Sequence, residues 1–279
     1  MERRKVDIVV ISDVHLGTYG SRAFELAKYL RSIQPKTLIL NGDIIDIWYF
    51  KKNYFPKTHL LVIKEITSLL SKGTHVHYIV GNHDEALRKF KGFTIGNFSL
   101  QNHLKINLPT GTAWFFHGDI FDYTMKYSKW LAKIAGEGYN WLILLNTFIN
   151  WLSQLAGRGK ISLSKKVKNS VKGVVNHVNK FEMAAAQLAV ENKVDYVICG
   201  HIHQPEIRDI NVGDKKITYL NSGDWVENSS ALEYNENEWK LYYFEKDTQL
   251  IEEFVWDEIE KSLNYDFILE ELLPELSKN

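Results

Sequence analysis

Short apolar runs alternate with helix-like stretches along the first part of the chain. The runs VDIVVIS (6–12), TLILNG (37–42) and HVHYIVG (75–81) have the length and apolar character of buried strands. Between them, residues 22–33 and 59–73 carry apolar side chains at helical spacing. This alternation predicts βαβ units, in which parallel strands are covered by helices.

The pattern continues towards the C-terminus with one long interruption. Strand-like runs at 99–108 and 112–118 are followed by a helix-like region, 123–193, and then by the run 195–200. The strand-like runs that follow predict a meander, because turn-forming residues join them: EIRDINV, KITYLNS, SALEY and WKLYYFE. We therefore expect an α+β or α/β fold with mixed sheets and outer helices.

The same pattern sets the expected domain organisation. Residues 1–122 and 194–250 should form the core, 123–193 a helical insertion or cap, and 251–279 an acidic amphipathic helix. Cys199 is the only cysteine, so an internal disulfide is excluded. The sequence shows no signal peptide and no apolar run of the roughly 18 residues that span a membrane. We expect a cytoplasmic protein, soluble or peripheral on the inner face of the membrane.

Five predicted strands end in clusters of Asp, Asn and His. The clusters are SDVHLG, NGDIID, GNHDE, HGDIFD and GHIH, and they contain five of the ten histidines. Any one of them is typical of a turn or of a hydrogen-bonded histidine. Together they favour a site, because loops at the carboxyl ends of strands converge. The other five histidines, which lie elsewhere, are interpreted as structural or solvated: His59, His75, His77, His103 and His177.

The residue types in these clusters indicate a metal centre. Carboxylate, amide oxygen and imidazole ligands suit Mn²⁺, Fe²⁺ or Zn²⁺ rather than a thiolate-bound structural zinc. Seven candidate ligands are too many for one tetrahedral ion and predict two ions that share a carboxylate. The candidates are Asp13, His15, Asp43, Asn82, His117, His201 and His203.

In this order, DVH, GDIID, GNHD, HGD and GHIH resemble the signature blocks of calcineurin-like metallophosphoesterases, over a frame from about residue 6 to 224. The resemblance implies a four-layer β-sandwich flanked by helices and two divalent ions, with Mn²⁺ favoured. It implies that the first ion is held by Asp13, His15 and His203. The second ion is then held by Asn82, His117 and His201, with Asp43 bridging both.

The resemblance also implies a catalytic mechanism. A hydroxide bridging the ions attacks phosphorus, so no serine or cysteine nucleophile is required. Besides the ligand Asn82, the catalytic candidates are His83, which protonates the leaving oxygen or stabilises phosphoryl charge, and Asp46, which orients His83. A turn cap is the alternative role for Asp46. Three further carboxylates would fix ligand orientation: Asp84, Asp119 and Asp224.

Within this family, the layout is most similar to the enzymes that hydrolyse UDP-2,3-diacylglucosamine in lipid A biosynthesis. The similarity rests on SDVHLG, DIW, the insertion between HGD and GHIH, and its basic RGKISLSKKVKNSVK. It implies cleavage of the pyrophosphate of a nucleotide-linked lipid. The chain departs from those enzymes at His83, where they typically carry arginine, in SGDW, which they usually lack, and in its acidic tail.

The insertion provides candidate substrate contacts. Its apolar and aromatic residues precede a basic stretch, a combination that suits acyl chains with an anionic head at a membrane surface. Two packed helices with a solvated basic face are the alternative interpretation. The phosphate-binding candidates are Arg158, Lys160, Lys165 and Lys168.

Two other functions fit parts of the sequence. A phosphodiesterase acting on nucleotides or nucleic acid would use the same metal centre, although the net charge of zero disfavours nucleic acid. A non-catalytic scaffold on the same fold is disfavoured because all seven ligand positions are filled. The sequence specifies neither the oligomeric state nor the metal.

Overall fold

The computed structural model describes residues 3–47, 54–121 and 164–253, with the backbone alone for 164–176 and 251–253. Its strands are β1 (Arg4–Ile11), β2 (Ile33–Asn41), β3 (His75–Ile79), β4 (Thr94–Ile95), β5 (Phe98–Gln101), β6 (His103–Leu108), β7 (Gly111–Phe116), β8 (Tyr196–Cys199), β9 (Glu206–Val212), β10 (Lys215–Asn221), β11 (Ser230–Asn235) and β12 (Glu238–Tyr243). Its α-helices are α1 (Ala23–Ser32), α2 (Lys57–Ser71), α3 (Ser164–Glu191) and α4 (Thr248–Glu253). Two short 3₁₀ helices are Glu85–Phe90 and Phe244–Lys246.

The strands form two mixed sheets. Sheet I has the order β12-β11-β1-β2-β3-β5-β4, and β1, β2, β3 and β5 run parallel. Sheet II has the order β6-β7-β8-β10-β9, and β7, β8 and β10 run parallel. Helical connections explain the parallel pairs of β1, β2 and β3, because a crossover of this length allows the chain to return in the same direction. The predicted βαβ pattern is thus confirmed.

Three apolar clusters separate the layers of the molecule. One lies between the sheets and includes Val10 of sheet I and Phe115 of sheet II. Another covers the outer face of sheet I, where Leu30 of α1 and Val62 of α2 are fully buried. The third covers the outer face of sheet II, against Phe181 of α3. The resulting helix–sheet–sheet–helix order is the four-layer sandwich that the sequence predicted.

One strand-like run and the predicted meander differ from their sequence interpretation. Residues 99–108 form the end of β5 in sheet I and all of β6 in sheet II, with a break at Asn102. The break is invisible in the sequence because both halves alternate polar and apolar residues. The predicted C-terminal meander is two hairpins, β9–β10 in sheet II and β11–β12 in sheet I. The connection 222–229 therefore crosses from one sheet to the other.

Helix α3 lies within the region predicted as a cap. Its apolar face buries Phe181, Ala185, Ala186 and Ala189 against sheet II, so this part of the region builds the fourth layer. The boundaries of the cap stay a prediction, because 122–163 lies outside the described residues. The predicted amphipathic helix at 256–276 also lies outside them. In the described parts of the chain, no helix is both long and apolar enough to cross a membrane.

Candidate metal centre

The candidate ligands lie at one end of the sandwich. Asp13 and His15 follow β1, Asp43 follows β2 and Asn82 follows β3, all in sheet I. In sheet II, His117 follows β7. Two further histidines follow β8: His201 and His203. These strands run parallel within each sheet, so their carboxyl ends deliver the side chains to a common edge, as the sequence predicted.

Five of the seven candidate ligands have left-handed backbone conformations. Their φ angles are 52° at Asp13, 53° at His15, 53° at Asp43, 68° at His201 and 54° at His203. Such angles are uncommon for residues other than glycine and cost free energy. Their concentration at the strand ends indicates that the surrounding fold holds these side chains in place for a function.

Asp13, His15 and His203 form the first group that could hold an ion. One potential ligand atom from each residue lies within 4.8 Å of the others. Asp13 is fully buried, and its Oδ2 accepts a 2.9 Å hydrogen bond from the backbone N–H of His201. Its Oδ1 lies 3.2 Å from Nε2 of His203. These three residues are the ligands predicted for the first ion alone, and Asp43 is the ligand predicted to bridge both ions.

Asp43, His117 and His201 form a second group with the same 4.8 Å spacing. Nδ1 of His117 donates a 2.9 Å hydrogen bond to the carbonyl oxygen of Asn41, because a carbonyl can only accept. This bond fixes the ring tautomer and leaves Nε2 available as a ligand. Nε2 lies 3.1 Å from Oδ2 of Asp43. With Asn82 added, this is the set predicted for the second ion.

Four buried polar atoms of these groups have no hydrogen-bond partner within the described residues. They are Oδ1 of Asp13, Nε2 of His15, Oδ1 of Asn82 and Nε2 of His117. Leaving a buried acceptor unpaired costs about 1–3 kcal/mol, so such atoms are rare without a reason. All four are atoms whose lone pairs can ligate a divalent cation. The donor set therefore fits the metal ions that the sequence indicates.

Electrostatics of the site also favour added positive charge. Burial would raise the pKa of Asp13, but the imidazoles of His203 and His117 lower it to about 2. Burial would also raise the pKa of Asp43, but the imidazole of His117 holds that pKa well below its usual range. Burial would lower the pKa of His203, but Asp13 raises it to about 9. The buried carboxylates thus require positive charge beside them, which either a protonated imidazole or a bound cation can supply.

His83 and Asp46 form a close pair beside these groups. Nδ1 of His83 lies 2.8 Å from Oδ2 of Asp46, which is 1% exposed. Burial would lower the pKa of His83, but the bond to Asp46 and the charge of Asp43 raise it. His83 also belongs to a third group with His15 and Asp43 that has the spacing of metal ligands. Geometry alone therefore allows His83 two roles, and its separation from the metals stays a prediction.

Glycines give the ligand loops room to approach each other. A Cβ on Gly42 would overlap the ring of His117, and one on Gly81 would overlap the carboxylate of Asp43. A Cβ on Gly200 would lie 2.5 Å from Oδ2 of Asp13. Glycine beside three of the five clusters is thus explained by close packing against a candidate ligand.

The buried carboxylate of Asp84 supports two of the ligand loops without being a candidate ligand itself. Asp84 accepts hydrogen bonds from the backbone of Ile44 and Gly81 and from the hydroxyl of Tyr78. Burial and the charge of Asp43 raise the pKa of Asp84. These bonds tie the loops after β2 and β3 together.

The connection between the two sheets provides a second support. Asp224 accepts hydrogen bonds from the backbone of Val226, Glu227 and Asn228, and its Oδ2 lies 3.9 Å from Nδ1 of His203. The backbone N–H of the next residue, Trp225, donates to the carbonyl oxygen of Asp13. The segment SGDW thereby braces the loops after β1 and β8.

Arg88 is a support that the sequence analysis missed. Its Nη2 lies 2.5 Å from Oδ2 of Asp119 and donates to the carbonyl of Gly81 at 3.3 Å. It therefore links the loop after β3 with the loop after β7. The only signal in the sequence is that Arg88 lies in a long stretch without acids, residues 86–118, which does not identify its partner.

Other predicted residues lie away from the centre. Cys199 is fully buried, and burial raises the pKa of its thiol, so it is unsuited to act as a nucleophile. His59 is buried and accepts a hydrogen bond from Gly17, whereas His75 and His103 are exposed. Among the candidate substrate contacts, two lie outside the described residues and two lie in α3 where only the backbone is described: Arg158, Lys160, Lys165 and Lys168.

Comparison with protein families agrees with this geometry. The model of the calcineurin-like phosphoesterase family matches residues 6–205. The chain therefore belongs to the calcineurin-like phosphoesterases and is a metal-dependent phosphoesterase. The family, fold class and enzyme class predicted from the sequence are confirmed.

Curated relatives match this chain over most of its length. UDP-2,3-diacylglucosamine hydrolase of Aliivibrio fischeri is 26% identical over 239 residues, which cover 84% of this chain and 97% of that protein. The hydrolase of the same name from Vibrio cholerae is 26% identical over 240 residues, covering 81% and 93%. A solved structure described as a novel archaeal phosphodiesterase is 13% identical and covers 85% of this chain and 98% of its own, with a TM-score of 0.38 that supports no functional argument.

Proposed function

We propose that this protein hydrolyses the pyrophosphate of a nucleotide-linked lipid such as UDP-2,3-diacylglucosamine at a dinuclear metal centre. The relatives of that name support the substrate class. The observation that carries the metal centre is the set of four unpaired buried atoms on Asp13, His15, Asn82 and His117. These atoms are of the kinds that ligate a divalent cation, and the described residues offer them no hydrogen bond.

The chain offers two sets of ligands that share one carboxylate. Asp13, His15 and His203 would hold one ion, and Asn82, His117 and His201 the other, with Asp43 common to both. When bound, two divalent ions supply an activated water as the nucleophile and draw negative charge off the phosphoryl oxygens. The mixed oxygen and nitrogen donors suit Mn²⁺, Fe²⁺ or Zn²⁺, and the family resemblance favours Mn²⁺.

His83 is the proposed proton donor to the leaving oxygen. Asp46 holds its Nδ1 at 2.8 Å, which orients the ring, and the backbone N–H of His83 donates to Oδ1 of Asp43 at 2.8 Å. The side chain of His83 is 31% exposed, so a substrate can reach it from solvent. Its Nε2 would carry the proton that neutralises the departing phosphate oxygen.

Recognition of the lipid is assigned to the insertion. Its aromatic residues and the basic positions Arg158, Lys160, Lys165 and Lys168 suit an acylated sugar with an anionic pyrophosphate. Charge reversal at Lys165 and Lys168 should raise KM for the nucleotide-linked lipid while leaving kcat for a small diester unchanged. A cytoplasmic location, peripheral on the membrane, would give access to such a substrate.

A substrate comparison tests the proposal. The purified protein with Mn²⁺ is given UDP-2,3-diacylglucosamine, bis-p-nitrophenyl phosphate and a cyclic nucleotide in parallel. Rapid UMP release from the lipid with little action on the others is expected. Activity on the small diesters alone would keep the phosphoesterase and reject the lipid substrate. No metal-dependent activity on any of them would reject the assigned centre.

A further inference from the structure

A segment beside the metal centre exposes apolar side chains that a folded core would normally take up. Every residue of 89–96, KFKGFTIG, is exposed, and we call this segment the basic arm. Phe90 is 52% exposed, Phe93 51% and Ile95 65%. Three large apolar side chains close together on one exposed segment are typical of an interaction surface rather than of scattered surface residues.

The basic arm is ordered by backbone hydrogen bonds, so its exposure is part of the fold. The N–H of Phe93 donates to the carbonyl of Phe90, and the N–H of Leu100 donates to Phe93. Gly92 donates to Leu100, and Ile95 pairs with Phe98 across β4 and β5. The main chain is thus bonded to β5 while the three apolar side chains are presented outward.

The charge of the basic arm indicates which kind of surface it can bind. Lys89 and Lys91 are exposed, and among the described residues neither forms an ion pair with a carboxylate. The ammonium of Lys89 lies 4.9 Å from the centre of the Phe90 ring. Residues 86–118 contain four Lys/Arg and no Asp/Glu. Phenylalanine and isoleucine beside unpaired lysines suit an interface between apolar chains and anionic head groups.

We propose that the basic arm docks the protein on an anionic phospholipid surface. Phe90, Phe93 and Ile95 would enter the boundary between head groups and acyl chains, and Lys89 and Lys91 would pair with lipid phosphates. Arg88, directly before the arm, is bound to Asp119 and Gly81 at the edge of the metal centre. Docking by the arm therefore holds the centre next to the lipid surface.

Other occupants fit the arm less well. A second copy docked arm to arm would bring the same lysines of both copies together, and like charges across an interface are unfavourable. Residues 122–163 carry five Lys/Arg and two Asp/Glu, so their charge has the same sign as that of the arm. The acidic residues 254–279 follow α4, which packs with α1. A short connection joins β12 to α4, and β12 lies at the opposite edge of sheet I from β4.

Vesicle binding by the full-length protein tests the proposal. Sedimentation is measured with phosphatidylcholine vesicles and with vesicles that also contain phosphatidylglycerol. The wild type should bind the anionic vesicles and leave the neutral ones. Lys89→Gln with Lys91→Gln should lower the partition coefficient about 25-fold, about fivefold per lysine. Phe90→Ser, Phe93→Ser and Ile95→Ser combined should lower it about tenfold or more.

Matched controls separate the arm from general surface properties. Met183→Ser removes an exposed apolar side chain of α3, and Lys5→Gln with Lys215→Gln removes two exposed lysines elsewhere. These variants should bind anionic vesicles within about twofold of the wild type. All variants should hydrolyse bis-p-nitrophenyl phosphate as the wild type does, which shows that the fold is intact. Vesicle binding is measured without substrate, so it is independent of the proposed reaction.

Four outcomes would overturn the proposal. They are absence of wild-type binding, equal binding to neutral vesicles, equal loss in the arm and control variants, and a dimer that the apolar variants dissociate. Carbodiimide crosslinks between Lys89 or Lys91 and residues 254–279, together with absent vesicle binding, would show that the chain's own acidic end covers the arm.

Discussion

The carboxylate of Asp46 lies 2.8 Å from Nδ1 of His83 and, through the same oxygen, 3.5 Å from Nδ1 of His15. One buried oxygen is therefore close to both a candidate ligand and the candidate proton donor. The two imidazole rings also meet edge to face, with centres 4.7 Å apart. Asp46 is thus placed to set the orientation of both rings, and its two effects can be separated by measuring metal content and turnover independently.

Replacement of His83 should affect turnover rather than metal content. His83→Ala removes the proposed proton donor, and the rate constant kcat should fall about 10²- to 10⁴-fold while the protein keeps its ions. Asp46→Asn should lower kcat less, because the ring remains but loses its orienting charge. Phosphodiesterase kinetics and metal content by plasma mass spectrometry check both variants.

His103→Ala, at an exposed histidine of β6, is the control and should retain full activity. If His83→Ala lost metal in proportion to activity, His83 would be a ligand, as its spacing with His15 and Asp43 allows.

Asp43 should be the residue on which both ions depend. It has the spacing of a metal ligand both with His15 and with His117 and His201, whereas His201 is grouped only with Asp43 and His117. Asp43→Ala should therefore remove nearly all bound Mn²⁺, and His201→Ala about half of it. Metal per chain, measured after gel filtration in metal-free buffer, distinguishes the two results. Equal retention in both variants would contradict a shared carboxylate.

Much of the metal centre could be predicted because strand ends are readable in the sequence. Apolar runs such as 6–12 and 195–199 end abruptly in Asp and His, and neighbouring parallel strands bring such ends together. The left-handed conformations of Asp13 and His203 were not predictable, because the identity of a non-glycine residue does not indicate a positive φ. They follow from the tertiary packing of the loops.

Two features of the fold were not predicted, the break at Asn102 and the basic arm. The break at Asn102 between sheets I and II leaves the polar–apolar alternation unchanged, so one run was interpreted as one strand. The basic arm was missed for a different reason. Phe90, Phe93 and Ile95 are apolar and predict burial, yet β4 lies at the edge of sheet I with nothing described above it.

Gly81 should tolerate no side chain. A Cβ at this position would overlap both the carboxylate and the backbone nitrogen of Asp43, and the backbone cannot move aside cheaply. Gly81→Ala should lower the free energy of unfolding by about 1–3 kcal/mol and reduce Mn²⁺ content. Gly20→Ala is the matched control, because its Cβ would meet only Cγ1 of Val226 at 3.3 Å. Urea unfolding and metal analysis check both, and equal behaviour of the two variants would contradict the packing argument.

Metal removal should destabilise the protein. A ligand that binds only the folded state at 100 times its Kd adds about 2.7 kcal/mol, so chelation should lower the Tm by about 5 °C or more. Asp43→Ala should show almost no shift, since its buried carboxylate is the proposed ligand common to both ions. His83→Ala should keep the wild-type shift. Differential scanning calorimetry with and without chelator measures all three, and a full shift in Asp43→Ala would count against the assigned ligands.

His59 should make stability depend on pH. It is 2% exposed, and burial lowers its pKa from 6.5 to about 4. The folded state therefore keeps the ring neutral between pH 4 and 6.5 while the unfolded chain takes up a proton. Its contribution to stability is complete above pH 6.5 and is lost as the pH falls towards 4, by about 3 kcal/mol at most.

Urea unfolding at pH 7.5 and pH 5 measures this contribution. His59→Gln should reduce the difference in unfolding free energy between the two pH values, because glutamine does not titrate. Leu61→Ala removes a buried side chain of the same helix and should lower the unfolding free energy by about 2–5 kcal/mol equally at both. The same pH dependence in His59→Gln and the wild type would mean that acid destabilisation arises elsewhere, and the carboxylates around the metal centre would then be its first candidates.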